Sequence, residues 1–206
     1  VFQASLSGDF SHVPGDFSQK QIVDGTQTYT ALEQQQSQSS SPVLDLYYFQ
    51  QFTPRQSLTL NAVGTYIGTQ SSDSYDEGSP YRYDVDGRTY SLLSEAIYEN
   101  RLRPFTLSSG LNYSQKYTNN EYTGDVSSVT PIHHNRVYLF SEIKGTWGKL
   151  RYSAGIGGSY LHYRQQAHSY DYWSFCPKAA LSYNFTHSLQ LSYNFQLNER
   201  TSRVAM

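Results

Sequence analysis

Apolar and polar residues alternate along six stretches of this chain with a period of two, the spacing of a β-strand with unlike environments on its two faces. Phe2, Ala4, Leu6, Gly8 and Phe10 alternate with Gln3, Ser5, Ser7 and Asp9, and Leu58, Leu60, Ala62, Gly64 and Tyr66 with Thr59, Asn61, Val63 and Thr65. The same rhythm runs through 105–114, 150–160, 175–185 and 188–197, carried by Leu107 and Leu111, Tyr152 and Ile156, Leu181 and Tyr183, and Leu191 and Phe195. Three less regular stretches, 42–52, 88–98 and 136–145, read the same way. Nine strands and no helix are predicted.

The links between these strands alternate in length. Thr53 to Gln56, Glu99 to Pro104, Gly145 to Lys149 and Thr186-His187 are tight. The intervening stretches 11–41, 68–87, 117–135 and 163–173 are long and polar, and the first holds a Gln/Ser run from Gln34 to Ser41 whose composition favours disorder. An antiparallel up-and-down meander follows, with turns at one end and loops at the other.

Alternation alone does not say which face meets water. A soluble sheet usually carries Lys and Glu on its wet face, yet the polar positions of 57–67, 105–114 and 188–197 hold no charge, only Ser, Thr, Asn, Gln and small or isolated apolar residues. The opposite positions are Leu, Ala, Gly and Phe with Tyr or Phe towards the strand ends, the arrangement of the interfacial girdles of membrane barrels. Strands of ten residues suit the ~9–11 needed to cross a bilayer at a tilt. The expected fold is therefore all-β, a transmembrane β-barrel or part of one, in the outer membrane, with turns periplasmic and loops extracellular. A soluble sandwich, with the leucines meeting in a core, is the competing expectation.

Composition agrees. Twenty of the 206 residues are Tyr and only 16% are charged, so the chain is aromatic and polar without being ionic. Fifteen Lys and Arg against 17 Asp and Glu leave no basic excess for nucleic acid. A mean hydropathy of −0.61 and no long apolar run exclude a spanning helix. One cysteine, Cys176, rules out a disulfide framework and a cysteine metal site, and it reads as a small residue of the polar face. The start at Val1 has neither a basic nor an apolar leader segment. An odd strand count and an end lacking a terminal aromatic lead us to expect a portion, spanning 1–206, of a larger barrel.

Two segments resemble a known family. Ala179 to His187 (Ala-Ala-Leu-Ser-Tyr-Asn-Phe-Thr-His) followed by Ser188 to Phe195 (Ser-Leu-Gln-Leu-Ser-Tyr-Asn-Phe), and Leu44 to Leu60 around Phe52-Thr53-Pro54-Arg55-Gln56-Ser57, resemble the barrel of TonB-dependent outer-membrane receptors and related outer-membrane β-barrel proteins. The resemblance implies a 22-strand barrel around a plug. The partners it implies are outer-membrane lipid, the remaining strands and plug of a parent barrel, and, through that parent, an inner-membrane energy-coupling protein. It implies nutrient uptake and no enzyme activity or cofactor. None of the family's functional motifs falls in this chain, so no residue role is carried over. A free-standing small barrel with a structural or adhesive role, and an outer-membrane acyl hydrolase, are the alternatives.

Candidate ligand contacts are the aromatics of two polar stretches: Tyr75, Tyr81 and Tyr83, and Tyr170, Tyr172 and Trp173. Such rings hold sugars and hydrophobic groups by stacking, and girdle or packing roles are the plainer reading of them. Asp84-Val85-Asp86-Gly87, after Asp73, Asp76 and Glu77, could hold a cation but lacks the full calcium-loop pattern, so a tight Asp-Gly turn before Arg88 is expected. His133 and His134 are adjacent, and on a strand would point to opposite faces. The other histidines, His12, His162, His168 and His187, have no nucleophile context.

Overall fold

In a computed structural model, residues 1–23, 26–76, 80–125, 127–186 and 189–197 are described, the side chains of 16–33, 76 and 80 excepted. They form ten strands: β1 (Phe2–Val23), β2 (Thr26–Thr53), β3 (Gln56–Asp76), β4 (Pro80–Arg101), β5 (Phe105–Gly124), β6 (Ser128–Trp147), β7 (Leu150–Gln165), β8 (His168–Phe175), β9 (Lys178–Asn184) and β10 (Gln190–Gln196). All pairings are antiparallel, and the strands follow one another in chain order in a single sheet. β8 and β9 lie end to end along β7. Gly158 faces Phe175 and Gly155 faces Lys178, so the register is the same on both sides of the gap. The interruption falls at Pro177, which has no N–H to give, while the Cys176 N–H still reaches the Gly157 carbonyl at 2.8 Å. Counted across the sheet there are nine strands, as the alternation predicts.

The long loops are the main correction. The stretches 68–87, 117–135 and 163–173 are mostly continued strand, and the far-end links shrink to gaps such as Asp125–Ser127 and Gln166-Ala167. The Gln34–Ser41 run is likewise strand, laddered from Asp16 to Asp9 on β1 and, over Gln34 to Ser40, along 68–74 on β3. Polar side chains do not prevent this, because the ladder is made by the backbone. They add to it: Ser11 and Ser39 hydroxyls meet at 2.7 Å across β1–β2, and Thr89 and Thr118 at 3.1 Å across β4–β5. Asp86-Gly87 is accordingly no turn but mid-strand, opposite Gln70 and Thr69.

Directly paired residues share a face, so the registers sort every side chain. One cross-strand row runs Phe2, Tyr48, Leu60, Ala96, Leu111, Leu139, Gly158, Phe175. This is the apolar face, and it is bare: Leu139 is 58% exposed and Phe175 66%. Leu161 is the one buried large apolar residue among those described, so the leucines meet in no core. The soluble-sandwich expectation fails here.

The apolar face is not a rectangle but a slanting band. On β3 it runs from Leu58 to Tyr66, centred on Ala62; on β8 and β9 it runs from Trp173 to Phe185, centred on Ala179. The row through Ala62 passes Ser94, Tyr113, Val137 and Tyr160 and reaches β8 at Trp173, six residues short of Ala179. Six residues of ~3.3 Å against five inter-strand steps of ~4.8 Å set the strands at about 40° to the normal of the band. Strands of membrane barrels tilt by roughly 35–45°. The band's height, about 20 Å on β3 and about 30 Å on β8–β9 after that tilt, brackets the ~25 Å apolar belt of such barrels. Strands of about twenty residues therefore run well beyond the band at the end opposite the Pro54-Arg55 and Gly148-Lys149 turns. Its upper margin carries a ring row, Tyr66–Tyr90–Tyr117–His133, with centroid spacings of 4.9, 6.3 and 4.5 Å.

The sheet is open. β1 and β10 make no contact with each other, and each has an unpaired outer edge among the described residues. On the polar face, aromatic rings fold down over glycines. A Cβ on Gly110 would come 2.6 Å from the Phe140 ring, and one on Gly157 would run into Tyr138. Glycine at these two positions lets the rings lie flat on the sheet.

Candidate functional site

The three tyrosines of the β3–β4 hairpin come together. Tyr75 pairs across the ladder with Tyr81, and Asp73 with Tyr83, making a square of four side chains on the polar face above the level of the apolar band. The Tyr75 and Tyr83 rings are near parallel, 18° apart with centroids 6.4 Å apart, and Tyr81 tilts against Tyr83 at 5.9 Å. Asp73 is 4% exposed and hydrogen-bonds Tyr83, yet its Oδ1 atom is buried with no partner. Burial raises the Tyr83 phenol above its ordinary range; the Asp73 charge and hydrogen bond add to this, and the hydrogen bond with Tyr75 opposes it. On the β5 side Tyr83 faces Gly124, which carries no side chain.

The second aromatic group does not join the first. Tyr170 and Tyr172 lie on the polar face of β8, at the other side of the sheet, where Tyr170 stacks on Tyr163 with centroids 5.0 Å apart. Trp173 points to the opposite face and packs on Tyr160 at 4.5 Å, in the upper margin of the apolar band.

The acidic stretch divides by parity. Asp84 and Asp86 lie on the face opposite Asp73, each tied to an arginine two residues away: Arg82 to Asp84 at 3.5 Å, and Arg88 to Asp86 at 2.8 and 3.1 Å. Glu77 falls outside the described residues. The Arg88 hydrogen bonds hold the Asp86 carboxyl below its ordinary range, outweighing burial, with the Arg88 charge and Gln70 assisting. A lowered folded-state value stabilises the fold above the ordinary Asp range, and that contribution is lost as pH falls through the folded value. Carboxyl-carbon NMR should place the Asp86 midpoint below that of a model Asp, and Arg88→Ala should bring it back up. Because both groups are substantially exposed, the change in global stability should be small.

His133 and His134 do point opposite ways, His133 to Tyr117 on one face and His134 towards Tyr163 on the other. His162 Nδ1 lies 2.7 Å from Asp171 Oδ1, and its only hydrogen-bond partner among the described residues is that carboxylate, so no serine completes a hydrolytic triad there. Cys176 is on the polar face, 3.7 Å from the Ser174 hydroxyl. Sequence reasoning missed a buried ionic group lower on the polar face: Glu142 meets Lys178 at 2.7 Å and Lys144 at 3.4 Å. It missed Arg136, which covers the Tyr138 ring and donates to the fully buried Ser159 hydroxyl at 3.2 Å. The signal available was parity: Glu142, Lys144 and Arg136 share the even positions of β6.

The chain matches no protein-family model and no curated protein sequence. Among solved structures it is similar in fold to the ferric citrate transporter FecA in its unliganded form, with a TM-score of 0.57 and 13% identity over 88% of this chain and 35% of that one. It is also similar to BauA, the ferric preacinetobactin receptor of Acinetobacter baumannii, with a TM-score of 0.53 and 6% identity over 93% of this chain and 39% of that one. The chain thus resembles the barrel region of TonB-dependent receptors in fold, an antiparallel meander like part of an outer-membrane barrel wall, while spanning little more than a third of the structures it matches.

Proposed function

We propose that this chain is the wall of an outer-membrane transport barrel, part of a TonB-dependent-receptor-like nutrient uptake protein. The observation that carries the reading is the slanted apolar band, whose tilt and height suit a bilayer and whose opposite face is polar. In this reading lipid covers the band, the polar face lines a hydrated interior, and further strands pair with the free edges of β1 and β10. A plug and an inner-membrane energy-coupling protein act through the parent barrel. The resemblance to FecA and BauA supports uptake as the activity, and the named cargo of those proteins is theirs. The short turns face the periplasm and the extended hairpins face outward, because the strands project beyond the band only at that end.

A free-standing small barrel is less well supported, since it needs β1 to meet β10 and they do not touch. Orientation has a direct test. With Cys176→Ser as background, single cysteines at Ala167 (hairpin end) and Arg55 (turn end) are probed with a membrane-impermeant maleimide on intact Gram-negative cells carrying the protein in their outer membrane. Position 167 is expected to label and position 55 to label only after lysis. The reverse pattern would overturn the orientation, and labelling of neither would place the chain elsewhere than the outer membrane.

A further inference from the structure

Deepening the uptake reading, and resting on it in that the polar face must be wet, we propose that the Asp73–Tyr75–Tyr81–Tyr83 square binds an N–H-bearing organic cation, an alkylammonium group. The cation donates to Asp73 Oδ1 and lays its alkyl part against the rings. The starting point is the orphaned oxygen. A buried acceptor without a partner is costly, more so when it carries charge, and nearly all such groups in folded proteins find one. One oxygen of Asp73 is satisfied by Tyr83, while Oδ1, on a residue 96% buried, is not. The group that completes it must bring a donor proton, and a positive charge makes that hydrogen bond one of the strong kind.

The surroundings select the same chemistry. Tyr83 is hydrogen-bonded to the carboxylate and gathers Tyr75 and Tyr81 against its own ring, and the negative faces of aromatic rings attract a cation placed over them. No cation of this protein is turned to the square from the neighbouring positions of β4: Arg82 and Arg88 lie on the opposite face, engaged by Asp84 and Asp86. An anionic ligand would meet the Asp73 charge directly. A bare metal ion would find one carboxylate, and the described residues contain no cluster of three His, Cys, Asp or Glu side chains to hold it.

The test is saturation-transfer NMR on the full chain refolded in detergent micelles, with ethylammonium as probe. Tetramethylammonium, which has charge but no N–H, and ethanol, which has a donor but no charge, are the comparisons. Ethylammonium is expected to bind saturably and at least tenfold more tightly than either. Asp73→Asn should weaken it by tenfold or more, Tyr83→Leu should weaken it too, and Asp84→Asn, on the opposite face, should leave it unchanged. Ethylammonium binding that is absent, or equal in Asp73→Asn, or matched by ethanol, overturns the proposal, since water alone then satisfies Oδ1. Transfer of the same sample into lipid vesicles separates the two readings. Insertion without ethylammonium binding defeats the cation site alone, whereas failure to insert removes the wet polar face and defeats both.

Discussion

Replacing Lys178 with methionine is expected to cost the fold about 2–4 kcal/mol, among the largest effects of any single change on the polar face. Lys178 Nζ is 2.7 Å from Glu142 Oε2, and the Glu142 side chain is only 9% exposed. Methionine keeps the stem but withdraws the charge, leaving a buried carboxylate with Lys144, which is 3.4 Å away and 57% exposed, as its remaining partner. Stranding a buried charge costs far more than loosening a solvated one, because the desolvation already incurred is no longer offset. Lys144→Met should therefore cost under about 1 kcal/mol. The lysine also lies 5.8 Å over the Phe140 ring, whose seat on Gly110 would loosen with it. Denaturant unfolding in micelles, followed by tryptophan fluorescence, measures both variants. Equal midpoints for Lys178→Met and Lys144→Met would show that Glu142 is solvated and the charge cluster superficial.

That cluster illustrates what the sequence made legible and what it did not. Strand count, meander order and the two faces could be read in advance, because a period of two is local: Leu58 and Leu60 announce their face without any knowledge of β4. The extent of the strands could not. Gln34 to Ser41 and 117–124 carry no apolar stripe, and what holds them in the sheet is backbone hydrogen bonding to partners nearby in space but set only by register. Asp86-Gly87 reads as a turn for the same reason, its turn chemistry being overridden by the ladder through Gln70 and Thr69.

The candidate site shows the same division. Tyr75, Tyr81 and Tyr83 were identifiable as aromatics in a polar stretch, but their meeting depends on the pairing of Asp73 with Tyr83, which fixes all four on one face. Shift that hairpin by one residue and the tyrosines would part. Trp173 was grouped with Tyr172 by proximity in sequence, although neighbours on a strand are the residues that cannot share a face.

Arginine at Leu111 is expected to hinder membrane insertion strongly, while arginine at the adjacent Asn112 should be nearly silent. Leu111 stands in the row Leu60, Ala96, Leu111, Leu139, inside the apolar band, and Asn112 stands in the polar row with Glu95 and Tyr138. A lipid-facing arginine near the middle of a barrel's belt costs about 2–4 kcal/mol, whereas one facing a hydrated interior gives up little solvation. A soluble protein with the same strands would lose stability at Leu111 as well, so stability alone does not discriminate. Environment does. An environment-sensitive dye placed singly at 107 to 113, in a Cys176→Ser background, should shift to the blue on adding vesicles at 107, 109, 111 and 113 and stay unshifted at 108, 110 and 112. In detergent-free buffer the unmodified chain should sediment as aggregate, because its leucines are bare and the outer edges of β1 and β10 are unpaired among the described residues. A soluble monomer, or a dye response without period two, would mean that the band is covered by protein and meets no lipid.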